Sequence, residues 1–395
     1  MRPPAARHRS VLVVAGETSA DRYAARLAEA LRARGLDPPL EFFGTGGDAM
    51  QAAGVELLCH IRELASIGPR EALSHLRKYH QVYRQLTAVC RERRPAVAVL
   101  LDFPDFNLRL AKRLKRLGIK VIYYISPQLW AWRRGRIRTV RRFVDRMLVI
   151  LPFEEEYYRS RGVDAVFVGH PILENFETDA DRLAFCHRYS LDADLRTLAL
   201  LPGSRPKEVA YILPAMLRAS RLVSQAIPAQ FLISVAPHID SQEVMRLLNR
   251  EVGDTSARRR FHILPADARL ILANSDFAFV KSGTSTLEAA LVGTPYVITY
   301  RISPVSWMLG KIMIRSRYKG LVNLIAGEEI VPEYLQAQAT PQNLARAALR
   351  LLQDESQAGA MRSRLAGIRE RLGSRRATEA AAGIVAGYLE RREST

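Results

Sequence analysis

"VLVVAGETSADRYAARLAEALRARG", residues 11–35, holds a strand, a turn and a helix in order. VLVVA (11–15) is apolar at every position, as a parallel strand covered on both faces must be. A short polar turn follows, and DRYAARLAEALRARG then repeats apolar residues at helical spacing until Gly35 stops it. The chain goes on repeating this unit. VAVLL (97–101), KVIYYI (120–125) and RMLVIL (146–151) read as further buried parallel strands with helical segments between them. A second series begins at TLALLPGS (197–204) and continues through FLISVAP (231–237), DFAFVKSG (276–283) and PYVIT (295–299). The alternation predicts an α/β protein of two Rossmann-like, doubly wound domains facing each other across a cleft. A length of 395 residues, too great for one ordinary core, agrees. The expected domains are 1–170 and 171–370, followed by a C-terminal helix in 371–395. GHPILENFETDADR (169–182), with its proline and clustered polar residues, reads as the linker, and 341–393 is helical in pattern throughout.

The net charge of +19 implies a polyanionic partner: nucleic acid, anionic lipid or a phosphorylated substrate. Its densest expression is SPQLWAWRRGRIRTVRRF (126–143), where Trp130 and Trp132 stand beside six arginines and no acid. Cys59, Cys90 and Cys186 are scattered without metal-ligand spacing and read as reduced cytosolic thiols. MRPPAARHRS (1–10) runs straight into VLVVAG, an apolar run too short for a signal peptide, so none is expected. No run reaches the ~18 apolar residues of a membrane span, so any membrane contact is expected to be peripheral. GTGGDA (44–49) fits G-x-G-x-x-A but follows the second strand, without a well-placed acid beyond it, and is discounted as a dinucleotide fingerprint. His170 in VGHP has no second ligand spaced to help it and reads as a hinge or hydrogen-bonding residue; no metal site is expected.

In open α/β sheets ligands bind outside the carboxyl ends of the strands, so the loops there carry the candidate chemistry. In FVKSGTSTLEAAL (279–291), Ser282, Gly283 and Thr284 leave backbone N–H groups uncovered where a helix begins near Ser285, an anion site. The same spacing fits a capping box between Ser285 and Glu288, which would bind nothing. LLPGSRPKE (200–208) repeats the layout, with Pro206 in the first helical turn. Arg205 stands at the end of that helix where a cation is disfavoured by about 0.3–1 kcal/mol; a bound anion reverses the sign, and a solvated arginine is the alternative. Two phosphate-competent loops in one domain point to a nucleotide diphosphate or a similar ligand. In the first domain LLDFPDF (100–106) ends a strand with two carboxylates. Asp105 fits a cap or turn residue. Asp102, on the strand end itself, is the better general-base candidate, with a structural role as the alternative, because an unpaired carboxylate in an apolar setting has its pKa raised. AGETSAD (15–21) sets Glu17 and Ser19 on the cleft-facing loop, unless Thr18 or Ser19 only caps the next helix.

Taken in order, AGETSAD, DFPDFN, ISPQLWAWR, LPFE, VGHP, LLPGSR, SGTSTLEAAL and LVNLIAGEEIVPEYLQ resemble the lipid-A-disaccharide synthases, glycosyltransferases of the two-domain GT-B fold. The matching stretches run from residue 14 to about 336. The resemblance implies inverting, metal-free and cofactor-free transfer from UDP-2,3-diacylglucosamine to the 6-hydroxyl of 2,3-diacylglucosamine 1-phosphate (lipid X). The products would be the β-1,6 disaccharide 1-phosphate and UDP. It makes the first domain the acceptor side, with Glu17, Ser19, Trp130 and Arg133 along its loops and Asp102 as the base. It makes the second domain the nucleotide side, where Arg205 and Ser282, Gly283, Thr284 and Ser285 hold the diphosphate, Glu288 accepts from the ribose and Asn323 joins the pocket. It further implies a cytoplasmic enzyme peripherally associated with an anionic inner membrane, and a homodimer that can exchange C-terminal segments; otherwise the last helix packs back on the first domain. Nucleic acid is not an expected partner.

Two departures stand out. Ala20 replaces the second glycine of the family's G-E-x-S-G-D loop, which would resist a positive φ there. The family's apolar membrane helix corresponds to IGPREALSHLRKYHQVYRQL (67–86), diluted by Arg70, His75, Lys78 and His80. Its Leu73, Leu76, Tyr83 and Leu86 fall at helical spacing that core packing also explains, so charge is expected to carry more of any membrane contact. The nearest alternative is another GT-B enzyme acting on UDP-GlcNAc, a peptidoglycan-type transferase or a 2-epimerase. It would share the second-domain loops but not DFPDF and SPQLWAWR together. A basic nucleic-acid-binding protein is the remote alternative, supported by charge alone.

Overall fold

The computed structural model of the chain describes residues 9–64, 72–131, 133–174, 176, 181–236, 239–253, 256–265, 267–302, 317–373 and 376–390. The chain divides into two compact units, Met1–Glu174 with Leu372–Thr395, and Asn175–Arg371.

The first unit is built on seven strands: β1 (Arg9–Val14), β2 (Leu40–Gly46), β3 (Glu56–His60), β4 (Val97–Leu101), β5 (Lys120–Tyr124), β6 (Arg146–Val149) and β7 (Ala165–Phe167). They lie in the order β3-β2-β1-β4-β5-β6-β7, all parallel. Side chains alternate across a strand, so the all-apolar runs supply two cores. Val11, Val13, Val97, Val99 and Leu101 face one of them; Leu12, Val14, Ala98 and Leu100 face the other. Each buried Val or Leu contributes about 1.5–3 kcal/mol. Helix Thr18–Ala33 covers the first face, and helices Ala72–Arg93 and Pro104–Arg116 cover the second.

Helix Ala377–Glu390 belongs to this unit as well. Its Ala381, Ala382, Val385, Ala386 and Leu389 pack into the cluster that holds Ala20, Ala24 and Leu27. Alanines on both helices permit the close approach. Glu174 fixes the end of the contact, accepting from the Thr378 N–H and hydroxyl, each at 2.6 Å.

The second unit has six strands: β8 (Arg196–Leu201), β9 (Ala229–Ser234), β10 (Phe261–Leu264), β11 (Phe277–Lys281), β12 (Tyr296–Tyr300) and β13 (Glu333–Leu335). Their order is β10-β9-β8-β11-β12-β13, again parallel. Residues 341–390 contain only helices among those described: Pro341–Gln353, Glu355–Arg371 and Ala377–Glu390. The eight strands expected from apolar runs are β1, β4, β5, β6, β8, β9, β11 and β12. Not among them are the interior β2 and the four edge strands; β3, β10 and β13 mix polar with apolar residues, as an edge covered less completely tolerates, and β7 is only three residues long.

In both sheets a carboxylate just before a strand ties the amino end. Asp145 accepts from the Val121 N–H at 2.9 Å and from Lys115. Asp276 accepts from the Thr197 N–H at 2.7 Å and from Arg182 and Arg196. Burial raises the pKa of each, but these partners outweigh it and hold both below the usual carboxylate range. The amino ends are thus structural. Among the described residues no helix is long and apolar enough to cross a membrane.

Candidate active site

Chain connections leave in opposite directions at the point where a doubly wound sheet reverses its order, which opens a crevice at the carboxyl ends there. The reversal lies between β1 and β4 in the first unit and between β8 and β11 in the second. The loops after these four strands are the ones that carry Glu17, Asp102, Arg205 and Ser282–Thr284.

In the first unit, Asp102 and Phe103 follow β4 with φ of 46° and 50°, two consecutive non-glycine residues in the left-handed region. Such a backbone costs roughly 1–2 kcal/mol per residue and persists only when its surroundings hold it. Asn107, fully buried in helix Pro104–Arg116, donates Nδ2 to the Leu101 carbonyl at 3.1 Å and to the Asp102 carbonyl at 2.8 Å. The buried Tyr123 hydroxyl donates to the same Asp102 carbonyl. The Asp102 carboxyl is thereby aimed by its backbone. A Cβ on Gly16 would fall inside the Phe103 ring, so the β1 and β4 loops meet through that glycine. The Phe103 ring stacks on Phe106 at 5.3 Å and lies 5.6 Å from Tyr79. Burial first, then the charge of the Asp105 and Glu17 carboxylates, holds the Tyr79 hydroxyl above its ordinary pKa.

Two expectations for the first loop change. Glu17, exposed and extended, is the N-cap residue of helix Thr18–Ala33, with no side-chain cap bond; Thr18 and the exposed Ser19 already lie in the first turn. Neither of them caps. Ala20 sits buried inside that helix without a positive φ, so alanine meets no strain there. Asp21 is structural, its carboxylate accepting from the Gly47, Ala49 and Met50 N–H groups at 2.6–3.1 Å.

Trp130 was expected along the wall of the site, and the structure places it in the interior of the first unit. Its indole N–H donates to Glu154 Oε1 at 3.0 Å, and its ring meets Phe153 edge-on at 5.1 Å. The reason is the buried carboxylate, which must find donors: Ser126 Oγ at 2.7 Å and the Leu151 N–H at 3.2 Å are among the others. The motifs SPQLW and LPFE are two halves of one hydrogen-bonded cluster. Arg133, itself at φ 51°, pairs with Asp105 at 2.8 Å, and Arg136 pairs with the same acid. Burial raises the Asp105 pKa, yet Arg136 and Arg133 outweigh it and hold the carboxyl low, so Asp105 is an ion-pair anchor and not a cap.

Burial pushes the Glu154 carboxyl up to about 7, against the pull of Ser126, Trp130 and backbone N–H groups. The native state therefore binds its proton more tightly than the unfolded chain, whose ordinary value is 4.5. Stability is highest with the acid protonated and falls as pH rises from the unfolded to the folded value, by on the order of 3 kcal/mol. Urea unfolding of wild type and Glu154→Gln across this window should show the gap between them narrow or reverse by that amount as pH rises. A gap that stays constant with pH would refute this role for Glu154.

In the second unit, Ser282 follows β11 and donates Oγ to the Lys319 carbonyl at 2.8 Å. Thr286 Oγ1 donates to the Gly283 carbonyl at 2.7 Å, and Tyr296 donates its hydroxyl to the Thr286 carbonyl at 2.8 Å. These bonds fix the loop while the Gly283, Thr284 and Ser285 N–H groups find no acceptor among the described residues. The N-cap of helix Ser285–Val292 is Thr284, with no side-chain cap bond, and Glu288 lies in the first turn, one position beyond the place a capping box with that N-cap would need. The expected capping box between Ser285 and Glu288 does not form.

After β8, Arg205 is the exposed N-cap residue of helix Pro206–Ala226, and its N–H is accepted by Glu208 Oε2 at 3.4 Å. Gly203 has φ +114°, and a Cβ there would lie 2.5 Å from Glu208 Oε2, so this turn requires glycine. Asn323 is a correction. Fully buried, it donates Nδ2 to the Val331 carbonyl at 2.7 Å and to Glu333 Oε1 at 2.9 Å, while Oδ1 accepts from the Ile330 and Val331 N–H groups. Its amide is saturated and has no bond left for a nucleotide. It holds Glu333, which accepts from the Lys319 and Gly320 N–H groups at 2.8 and 2.9 Å beside the Ser282 loop.

Asn107, Tyr123 and Glu208 are the residues that sequence reasoning passed over. Asn107 stood inside DFPDFN and Glu208 inside LLPGSRPKE, and only their partners show what they do. His170 is buried, its Nδ1 accepting from the Ile172 N–H at 3.0 Å, and burial pushes its pKa down to about 3. Among the described residues no group of three or more His, Cys, Asp or Glu could hold a metal ion. Trp132, Arg70 and the side chains of Leu73, His75 and Leu76 lie outside the described residues. Of the remaining helix, Leu86 is buried in the core, Tyr83 packs on Phe106 and Lys78 pairs with Glu63 at 2.6 Å.

A family model described as lipid-A-disaccharide synthetase matches residues 11–385. The lipid-A-disaccharide synthase of Myxococcus xanthus is 44% identical over 376 residues, covering 95% of this chain and 96% of that one. The lipid-A-disaccharide synthase of Koribacter versatilis is 41% identical, covering 94% and 95%. Among solved structures, a putative UDP-N-acetylglucosamine 2-epimerase from Listeria monocytogenes superposes with a TM-score of 0.65 at 14% identity, covering 98% of this chain and 97% of that one. At that identity the likeness is one of fold, and it agrees with the two doubly wound α/β units expected from the sequence.

Proposed function

The chain belongs to the lipid-A-disaccharide synthase family, and from that membership we propose how its residues divide the transfer. It is a glycosyltransferase that joins diacylglucosamine, carried by UDP, to diacylglucosamine 1-phosphate. In the proposed step the acceptor's 6-hydroxyl oxygen attacks the anomeric carbon of the donor with inversion, the bond to the diphosphate breaks, and Asp102 takes the hydroxyl proton. A positioned base of this kind contributes about 10²–10⁴-fold. Arg205 and the N–H groups of Gly283, Thr284 and Ser285 take up the charge that develops on the departing UDP. Ser282 braces that loop, Glu288 accepts from the ribose hydroxyls, and Asn323 acts only through Glu333. Glu17 and Ser19 flank Asp102 on the acceptor side, and Arg133 acts there by anchoring Asp105. No metal is required, since these donors and dipoles carry the charge. The observation that supports this reading most is the left-handed Asp102–Phe103 pair, held by Asn107 and Tyr123 at the switch point of its sheet.

The exposed Arg138, Arg141 and Arg142 fit peripheral attachment to an anionic inner-membrane surface facing the cytoplasm, each worth about 1 kcal/mol near such a surface. A homodimer carries no step of this reading. One assay tests both parts. UDP-diacylglucosamine with the 1-phosphate acceptor should give disaccharide 1-phosphate and UDP, and unacylated UDP-GlcNAc should give little. With acceptor presented in anionic vesicles, rising salt should slow turnover and release the protein, while detergent-dispersed acceptor should be far less affected. Equal use of UDP-GlcNAc would refute the substrate assignment, and salt-insensitive vesicle binding would refute the electrostatic attachment.

A further inference from the structure

Lys281 ends β11 immediately before the anion loop, and neither composition nor spacing marks it. The structure turns its side chain into the switch point of the second sheet, where it is only 19% exposed. There Nζ lies 2.9 Å from Glu208 Oε1. Gly283 stands at φ +156°, and a Cβ on it would lie 3.5 Å from the same Nζ, so the ammonium rests directly beside the loop backbone. The Tyr300 ring closes the other side at 5.9 Å. Glu208 is the hub of the arrangement: Oε1 holds Lys281 of the β11 loop, and Oε2 accepts from the Arg205 N–H of the β8 loop.

A lysine packed against its own loop loses rotamer freedom, and this one pairs with Glu208 through one of its three donors. The remaining donors are carried beside the loop whose Gly283–Ser285 N–H groups have no acceptor among the described residues. A diphosphate seated on those N–H groups is the group that would engage them. A nucleobase or a sugar would not, having no comparable charge.

We propose that Lys281 is a further cation of the nucleotide-diphosphate site, donating to the phosphates of the UDP moiety, with Glu208 as the residue that positions it between the two loops. This rests on the nucleotide-binding reading of the second unit. Lys281 complements Arg205 from the opposite loop, so the diphosphate is gripped by one side chain from each side of the switch point. A compact point charge on a flexible four-carbon stem suits a phosphate whose negative charge grows as it leaves.

Calorimetric titration of the full chain with UDP and with uridine tests the assignment. Lys281→Met should weaken UDP binding by about 10–100-fold, the loss expected for charge-assisted bonds, and leave uridine binding unchanged. Lys281→Arg should restore most of the UDP affinity. Glu208→Gln should weaken UDP less than Lys281→Met does, and the double variant should be no weaker than Lys281→Met alone, because one residue acts through the other. Equal losses for UDP and uridine would reduce Lys281 to a loop strut and overturn the proposal, as would additive losses in the double variant. Wild-type UDP binding that is weakened by Arg205→Ala but untouched by Lys281→Met would sink the Lys281 assignment alone. Absence of UDP binding by the wild type would sink the nucleotide-site reading beneath it.

Discussion

Asp102→Asn is expected to lower turnover by about 10²–10⁴-fold while UDP affinity stays close to that of the wild type. The substitution is isosteric and removes only the ability to take a proton. The unusual backbone at this position should survive it. Asn107 and Tyr123 grip the Asp102 carbonyl, which the variant keeps, and asparagine adopts the left-handed conformation as readily as aspartate does. Melting temperature should therefore barely move, and the loss should appear in kcat with acceptor saturating. Asn107→Ala separates the two functions of the loop. It removes two of the three side-chain bonds that hold the strained turn and leaves only that of Tyr123, so it should lower stability and turnover together. Near-wild-type turnover in Asp102→Asn would end the base assignment.

Arg205→Ala carries the second large effect, a weakening of UDP binding by about 10–100-fold. What distinguishes it from ordinary damage is the sign of its effect on the empty protein. Arg205 is exposed, and its backbone ties, the N–H to Glu208 and the carbonyl to the Val209 N–H, remain in alanine. A cation at a helix N-terminus opposes the macrodipole, so its removal should leave the ligand-free protein unchanged or more stable by about 0.3–1 kcal/mol. The thermal shift produced by saturating UDP should shrink in the same variant. A UDP-induced shift as large as the wild type's would show that Arg205 is a solvated surface residue.

Much of the fold was legible because its signal is local. Apolar runs such as VLVVA and VAVLL are buried on both faces, and helices such as DRYAARLAEALRARG carry their spacing within a few turns. Edge strands such as EYL in β13 were not legible, because an edge demands little apolarity. In the candidate site, the residue types and their order along the chain could be read, but their partners could not. Ser285 and Glu288 have the spacing of a capping box, yet the N-cap is Thr284, one residue earlier, and the box does not form. Asn323 looked like a ligand and proved to be a saturated internal brace. Trp130 looked like a wall of the site and proved to be a donor to a buried acid.

By itself, then, the sequence determined the α/β class, two sheets in succession, and the set of loops in which chemistry could lie. Those follow from periodicity and turn chemistry, which act over a few residues. The strand order decided the rest. Only when β1 lies beside β4, and β8 beside β11, do Gly16 and Phe103 meet and Lys281 and Glu208 pair. Each of those contacts joins segments about 70–90 residues apart, and pairing at that range is set by how whole elements pack, which no local pattern encodes.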